Sequence, residues 1–132
     1  EIGVRLVGSE MCIRDSMYQS NGIGLAANQV GYNRRMFVMD TSNEKDSPQV
    51  FINPIVKSKN NIKMNDIEGC LSCPGEEVKV SRSISINLEW KCRHGKPQHK
   101  TFYYLPCRVV QHEMDHINGK LITDHGPILK RE

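Results

Sequence analysis

Nowhere does an uninterrupted apolar run approach the ~20 residues that a membrane-spanning helix needs, so a membrane-embedded role is set aside. Dense lysine and arginine blocks are also missing. The 18 basic and 15 acidic residues are scattered to a net charge of +3, a distribution that does not suit a nucleic-acid groove or direct nucleic-acid readout. No internal repeat or low-complexity segment divides the chain. The cysteines Cys12, Cys70, Cys73, Cys92 and Cys107 are odd in number and irregularly spaced, which fits reduced thiols in an intracellular compartment better than a disulfide framework. The first residues lack the basic, apolar and small-residue succession of a secretion signal.

What remains is one domain's worth of chain. A length of 132 residues, 38% hydrophobic and 25% charged, suffices for one core and is too short for two ordinary domains. We set this domain at residues 17–132. Residues 1–16 show no clean helical or strand period and carry little structural expectation. Within them GSEMCIRDS is similar to a translated adapter fragment, so the segment is read as foreign to the native protein or as replacing a truncated N-terminal segment.

Met17 to Ser20 read as the last turn of a helix, stopped by the Asn21-Gly22 pair. Residues 22–31, GIGLAANQVG, read as a tight loop entering a strand, and their leading glycines permit close backbone approach. Residues 35–40 and 49–56 are short apolar runs that predict strands around the turn-rich TSNEKDSP. Residues 60–66 are polar, and EGCLSCPGE after them breaks any regular pattern. Over 78–90 the residues Val78, Val80, Ile84, Ile86 and Leu88 share parity, with Arg82 interrupting, and predict one strand. A turn at RHGKP returns HKTFYYL as its hairpin partner. The last element runs over 106–118. Pro106 suits a first helical turn, Gly119 a C-terminal stop, and Val109, Val110, Met114 and Ile117 form its apolar stripe.

On that helix stands His112-Glu113-Met114-Asp115-His116, an HExxH motif in the context the motif requires. At ~100° per residue the two histidines lie within about 40° of each other and ~6 Å apart along the axis, so both can reach one metal ion. The intervening Glu113 can reach a water bound to it. A hydrolytic site of this kind wants a third protein ligand and an open position. Asp124 and His125 are available downstream. Upstream, Cys70 in Glu68-Gly69-Cys70-Leu71-Ser72 is the better ligand on local chemistry, because a thiolate in an irregular, glycine-containing segment binds Fe²⁺ or Zn²⁺ well. A structural zinc module on Cys70, Cys73, His112 and His116 is the competing reading. Against it, 38 residues intervene between the cysteine and histidine pairs, more than finger modules use.

Three segments, Gly22-Ile23-Gly24-Leu25-Ala26-Ala27-Asn28-Gln29, Glu68-Gly69-Cys70-Leu71-Ser72 and Gln111-His112-Glu113-Met114-Asp115-His116, resemble in sequence and order the three signature motifs of the peptide deformylases. The resemblance extends through most of 17–124. It implies an α+β fold of short, mostly antiparallel strands wrapped around a central helix that carries the HExxH motif. It implies metal-dependent hydrolysis of the N-formyl group from N-formylmethionine on newly made polypeptides, with release of formate. Fe²⁺ is the implied native metal, and Zn²⁺, Ni²⁺ or Co²⁺ are accepted in its place. Carried over residue by residue, Cys70, His112 and His116 become the ligands and Glu113 the general acid/base. Gln29 and the backbone N–H of Leu71 become the oxyanion donors.

The resemblance further implies backbone contact with substrate at Ile23, Gly24 and Gly69, and a methionine pocket walled by Leu105 and Val109. Glu68 is expected to orient a metal-bound histidine, and Arg82 to pair with Asp115. Implied partners are N-formylmethionyl nascent peptides near the ribosome, met by a monomer in the cytoplasm of a bacterial or virus-infected bacterial cell, or in an organelle. Several features depart from the pattern. Relatives carry a longer segment with a helix before the first motif, many bacterial ones end in a long helix, and many have an apolar residue and an arginine where Cys73 and Glu77 stand.

Overall fold

The computed structural model describes residues 2–70, 73–126 and 128–130; the side chains of 2–7, 9, 70, 73, 74, 123 and 128–130 lie outside that description. All strand pairings among the described residues are antiparallel, and a period-2 apolar alternation marks some of the strands, most clearly at Val78 and Val80 and at Ile86 and Leu88. Strands β1 (Gly24–Ala26), β2 (Met36–Met39), β3 (Gln49–Lys59), β6 (Ser85–Lys91) and β7 (Pro97–Tyr103) form one sheet in the order β1-β2-β3-β6-β7. Strands β4 (Lys63–Cys70), β5 (Cys73–Ser83) and β8 (Ile128–Lys130) form a second, ordered β4-β5-β8. Helices α1 (Ile2–Gln19) and α2 (Tyr104–Ile117) complete an α+β architecture.

Helix α2 buries Cys107, Val109, Val110 and Met114 against Phe37, Met39, Phe51, Ile86, Leu88 and Phe102 of the five-stranded sheet. Phe51 stacks on Phe37 with ring centroids 4.6 Å apart and meets Phe102 edge-on at 5.8 Å, a geometry that adds to the area buried. The helix ends as its sequence predicts: Gly119 adopts φ +82°, the left-handed conformation that needs no Cβ. Its polar Gln111 is buried and clamps the bend between β5 and β6. Gln111 Nε2 donates to Ser83 O at 2.9 Å while Ser83 N donates to Gln111 Oε1 at 3.2 Å.

Three expectations change. Residues 2–16 are helical rather than patternless. Ile13 and Met17, one turn apart, are fully buried against Leu25, Met36 and Val38, and Glu10 is buried beside Arg14 and Arg93. Among the described side chains of the helix this buried stripe leaves little periodic trace, and its packing on Leu25, Met36 and Val38 is tertiary. The expected stop at Asn21 is present, with φ +56°.

Residues 63–83, expected to be polar and irregular before 78, form the β4–β5 hairpin. Strand β4 is an outer strand whose residues 63–67 are all exposed, so no buried parity could mark it. Residues 78–90 are two strands, not one. Buried Val78, Val80 and Arg82 belong to the three-stranded sheet and buried Ile86 and Leu88 to the five-stranded one, and the chain crosses between sheets at Ile84 without losing parity.

The loop between β2 and β3 is organised by Asp40, itself buried. Its carboxylate accepts from Tyr18 Oη at 2.6 Å, Ser42 Oγ at 2.5 Å and the backbone N–H groups of Ser42 and Ser47. Burial works against the charged form, but the donors from Ser42 and Tyr18 outweigh it and hold Asp40 down at about 2. A depressed carboxylate stabilises the fold above its unfolded value, near 4, and that stability is lost as pH falls toward 2. Thermal melts between pH 5 and pH 2 should therefore show falling stability, and Asp40→Asn should flatten the fall while lowering the melting temperature at pH 7. An equally steep fall in the variant would contradict this assignment.

Candidate active site

Helix α2 projects His112 and His116 from one face, and the structure brings their Nε2 atoms to 3.2 Å. Two nitrogens bonded at 2.0–2.1 Å to one tetrahedral ion sit about 3.3 Å apart, so this spacing fits a shared divalent metal. Orientation is built in from behind. His112 Nδ1 meets Glu68 Oε1 at 2.9 Å, which aims Nε2 of the same ring toward His116. Asn28, the last residue but one of the first motif, donates from Nδ2 to His116 O at 2.6 Å and ties the two motifs together.

Glu68 on β4 is the hub of this arrangement. Arg82 grips it with two parallel bonds, Nε to Oε2 at 2.7 Å and Nη2 to Oε1 at 2.8 Å, and Arg108 Nη1 adds another to Oε2 at 2.6 Å. Burial pushes the Glu68 carboxyl up, yet Arg82, His112 and Arg108 together hold it well below the usual carboxylate range. Arg82 reaches on to Asp115 at 2.8 Å, the pairing expected from its intrusion into an apolar strand. Burial, which would lower Arg82, is outweighed by Glu68 and Asp115, and Asp115 in turn is lowered despite its burial by Arg82 and His125.

Glu113 is 3% exposed and lies directly beneath Gly24 of β1. A Cβ at Gly24 would stand 2.8 Å from Glu113 Oε2 and 2.7 Å from Val109 Cγ1. Only a glycine lets this strand lie so close to the helix. Gly24→Ala is therefore expected to displace Glu113, lowering kcat on the order of 10²-fold and stability by about 1–3 kcal/mol. Steady-state kinetics and a melt check both, and wild-type turnover would refute the close approach. Gln29 sits in the 3-10 turn Ala27–Val30 after β1, where its Oε1 accepts Ala26 N–H at 2.8 Å and fixes which end of the amide donates.

Of the other predicted positions, Ile23 is half-buried against the main core and its carbonyl accepts Asp40 N–H at 2.9 Å. Val109 is buried, Leu105 is 52% exposed on the first turn of α2, and Gly69 lies exposed on β4. Cys70 closes β4, opposite Cys73 in the hairpin, but the side chains of both lie outside the described residues, as does all of Leu71. Among the described residues no group of three potential ligands converges. The downstream alternatives are directed elsewhere: His125 Nε2 meets Asp115 Oδ2 at 2.7 Å, and Asp124 accepts Leu121 N–H.

Arg108, Asn28 and Gln111 were not singled out from sequence as parts of this arrangement. Arg108 stands one turn before His112, a spacing that could have marked it as a neighbour of the site.

The family model described as Polypeptide deformylase matches residues 5–132. "Peptide deformylase 2" of Xanthomonas campestris pv. campestris is 46% identical over 117 residues, covering 89% of this chain and 68% of that protein. A peptide deformylase from Synechococcus elongatus, solved in complex with actinonin, superposes with a TM-score of 0.81 at 40% identity, over 83% of this chain and 61% of that one. A probable peptide deformylase from Synechococcus phage S-SSM7 superposes at 0.89 with 35% identity, over 94% and 85%. The chain thus spans 61–85% of the length of these three relatives.

Proposed function

The chain belongs to the polypeptide deformylase family, hydrolases of the N-formyl group, and on that premise we propose that it removes the formyl group from N-formylmethionine on new polypeptides, releasing formate. The convergence of His112 and His116 Nε2 at 3.2 Å carries this reading. With Cys70 they would hold one divalent metal, Fe²⁺ as the native ion and Zn²⁺, Ni²⁺ or Co²⁺ as substitutes, between the end of β4 and helix α2, which on this reading is the central helix of the fold. Such an ion supplies Lewis acidity and makes a water acidic near neutral pH.

The chain's own groups do the rest. Glu113 takes the proton of the attacking water and later delivers one to the leaving amine, so formamide and water become formate and a free α-amine. The Gln29 side-chain amide and the Leu71 N–H stabilise the oxyanion of the tetrahedral intermediate. Glu68 holds the Nδ1–H of His112 and fixes its tautomer. Substrate binds as an added strand. Strand β1 is the outer strand of one sheet and β4 of the other, which supports backbone pairing at Ile23, Gly24 and Gly69. Leu105 and Val109 wall the methionine pocket.

Partners on this reading are nascent chains emerging near the ribosome, met by a monomer in a bacterial, virus-infected bacterial or organellar interior. No helix among the described residues is long and apolar enough to cross a membrane. The test is formate release from formyl-Met-Ala-Ser by protein purified anaerobically with Fe²⁺ or Ni²⁺. Folded, metal-loaded protein that releases none would refute the proposal.

A further inference from the structure

Arg108 makes more connections than a basic residue on a helix surface needs. Its side chain is 11% exposed. Nη1 donates to Glu68 Oε2 at 2.6 Å and to Val80 O at 3.1 Å, and Nη2 donates to Met64 O at 2.6 Å. One guanidinium on α2 thus holds strand β4 at two points four residues apart, and β5 at a third. Strand β4 is the outer strand of its sheet and ends at Cys70, two residues beyond Glu68. Whatever fixes β4 against α2 also fixes how near Cys70 comes to His112, which lies one turn after Arg108.

Charge points the same way. Glu68 and Asp115 are two anions, and Arg82 alone would leave the buried cluster one negative charge in excess. Arg108 supplies a second guanidinium, so that carboxylates and guanidinium groups balance two against two, with His112 and His125 on the outer sides of the two carboxylates. The carboxylate of Glu68 accepts four bonds, two from Arg82 and one each from Arg108 and His112, and this saturation allows it a single orientation.

We propose that Arg108 is a positioning residue of the metal centre: by bridging Glu68, Val80 O and Met64 O it sets the distance between the strand that carries Cys70 and the helix that carries His112 and His116. The inference rests on the ligand set proposed above. A fork is required, because the three bonds are divided between two guanidinium nitrogens, and a lysine keeps the charge but offers only one. Arg108→Lys separates geometry from charge, and Arg108→Met removes both.

The experiment loads wild type and both variants with Co²⁺, reads the near-ultraviolet thiolate-to-cobalt band, and measures Co²⁺ affinity by competition with a chromogenic chelator. Kinetics on formyl-Met-Ala-Ser accompany it. Both variants are expected to bind Co²⁺ about 10- to 100-fold more weakly and to show a weakened thiolate band. Their kcat should fall and their KM change little. Wild-type affinity and band in Arg108→Lys would overturn the proposal, since charge without the fork would then suffice. Wild type that binds Co²⁺ without any thiolate band would instead overturn the ligand set itself, a result distinguishable because it appears before any substitution is made.

Discussion

Replacing Glu113 with alanine is expected to lower kcat for formyl-Met-Ala-Ser by about 10³-fold while leaving the metal content unchanged. Positioned general acid/base groups contribute about 10²- to 10⁴-fold, and Glu113 is asked to serve both halves of the reaction. Its place supports a large value. The residue is 3% exposed and lies close under the backbone of Gly24, which shuts it off from bulk water. The two imidazoles keep their mutual spacing and Glu68 keeps its hold on His112, because neither contact passes through Glu113. Metal analysis beside single-turnover formate release checks the split. A variant that retains turnover within tenfold of wild type would remove Glu113 from the chemistry, and one that loses its metal would make it a ligand.

The second large effect belongs to stability. Glu68→Ala takes the shared carboxylate from two guanidinium groups, Arg82 at 4% side-chain exposure and Arg108 at 11%, leaving Arg82 with Asp115 and Arg108 with the carbonyls of Val80 and Met64, and so leaves the buried cluster with one uncompensated positive charge. Removing one partner of such a buried ion cluster costs about 3–5 kcal/mol, because the orphaned charge keeps its desolvation penalty. In a domain of this size that is a fall in melting temperature of about 10 °C or more, measured on metal-free protein so that ligand loss does not contribute. Metal affinity should fall as well, since His112 loses the partner of its Nδ1. The cluster is also acid-sensitive. Glu68 lies well below its ordinary value when folded, so its contribution is present above about pH 4.5 and is lost as pH falls through the depressed range. A Glu68→Ala protein that melts within a degree or two of wild type would show the cluster to be a surface ornament.

Parts of this arrangement were readable from residues alone because they obey short-range rules. The spacing of His112 and His116 needs only helical geometry, and α2 announces itself through Pro106, its apolar stripe and Gly119. Arg82 drew notice because a charge interrupted an apolar parity, and Glu68 as the carboxylate expected to orient a metal-bound histidine; the structure joins them. Other parts left no local trace. Strand β4 is exposed on both faces over 63–67, so its existence depends on β5 and not on its own pattern. The sheet switch at Ile84 preserves parity and is invisible to it. Helix α1 rests on Ile13 and Met17 reaching a core assembled from distant strands. Arg108 reads as an ordinary solvated base until β4 is folded against it.

All of this depends on one ion gathering a sulfur and two imidazoles from separate elements. Metal-edge X-ray absorption on the zinc- or nickel-loaded protein tests it most directly. One sulfur and two imidazole nitrogens are expected in the first coordination shell, with the sulfur lost in Cys70→Ser and retained in Cys73→Ser. A shell containing no sulfur, or one whose sulfur survives Cys70→Ser, would contradict it.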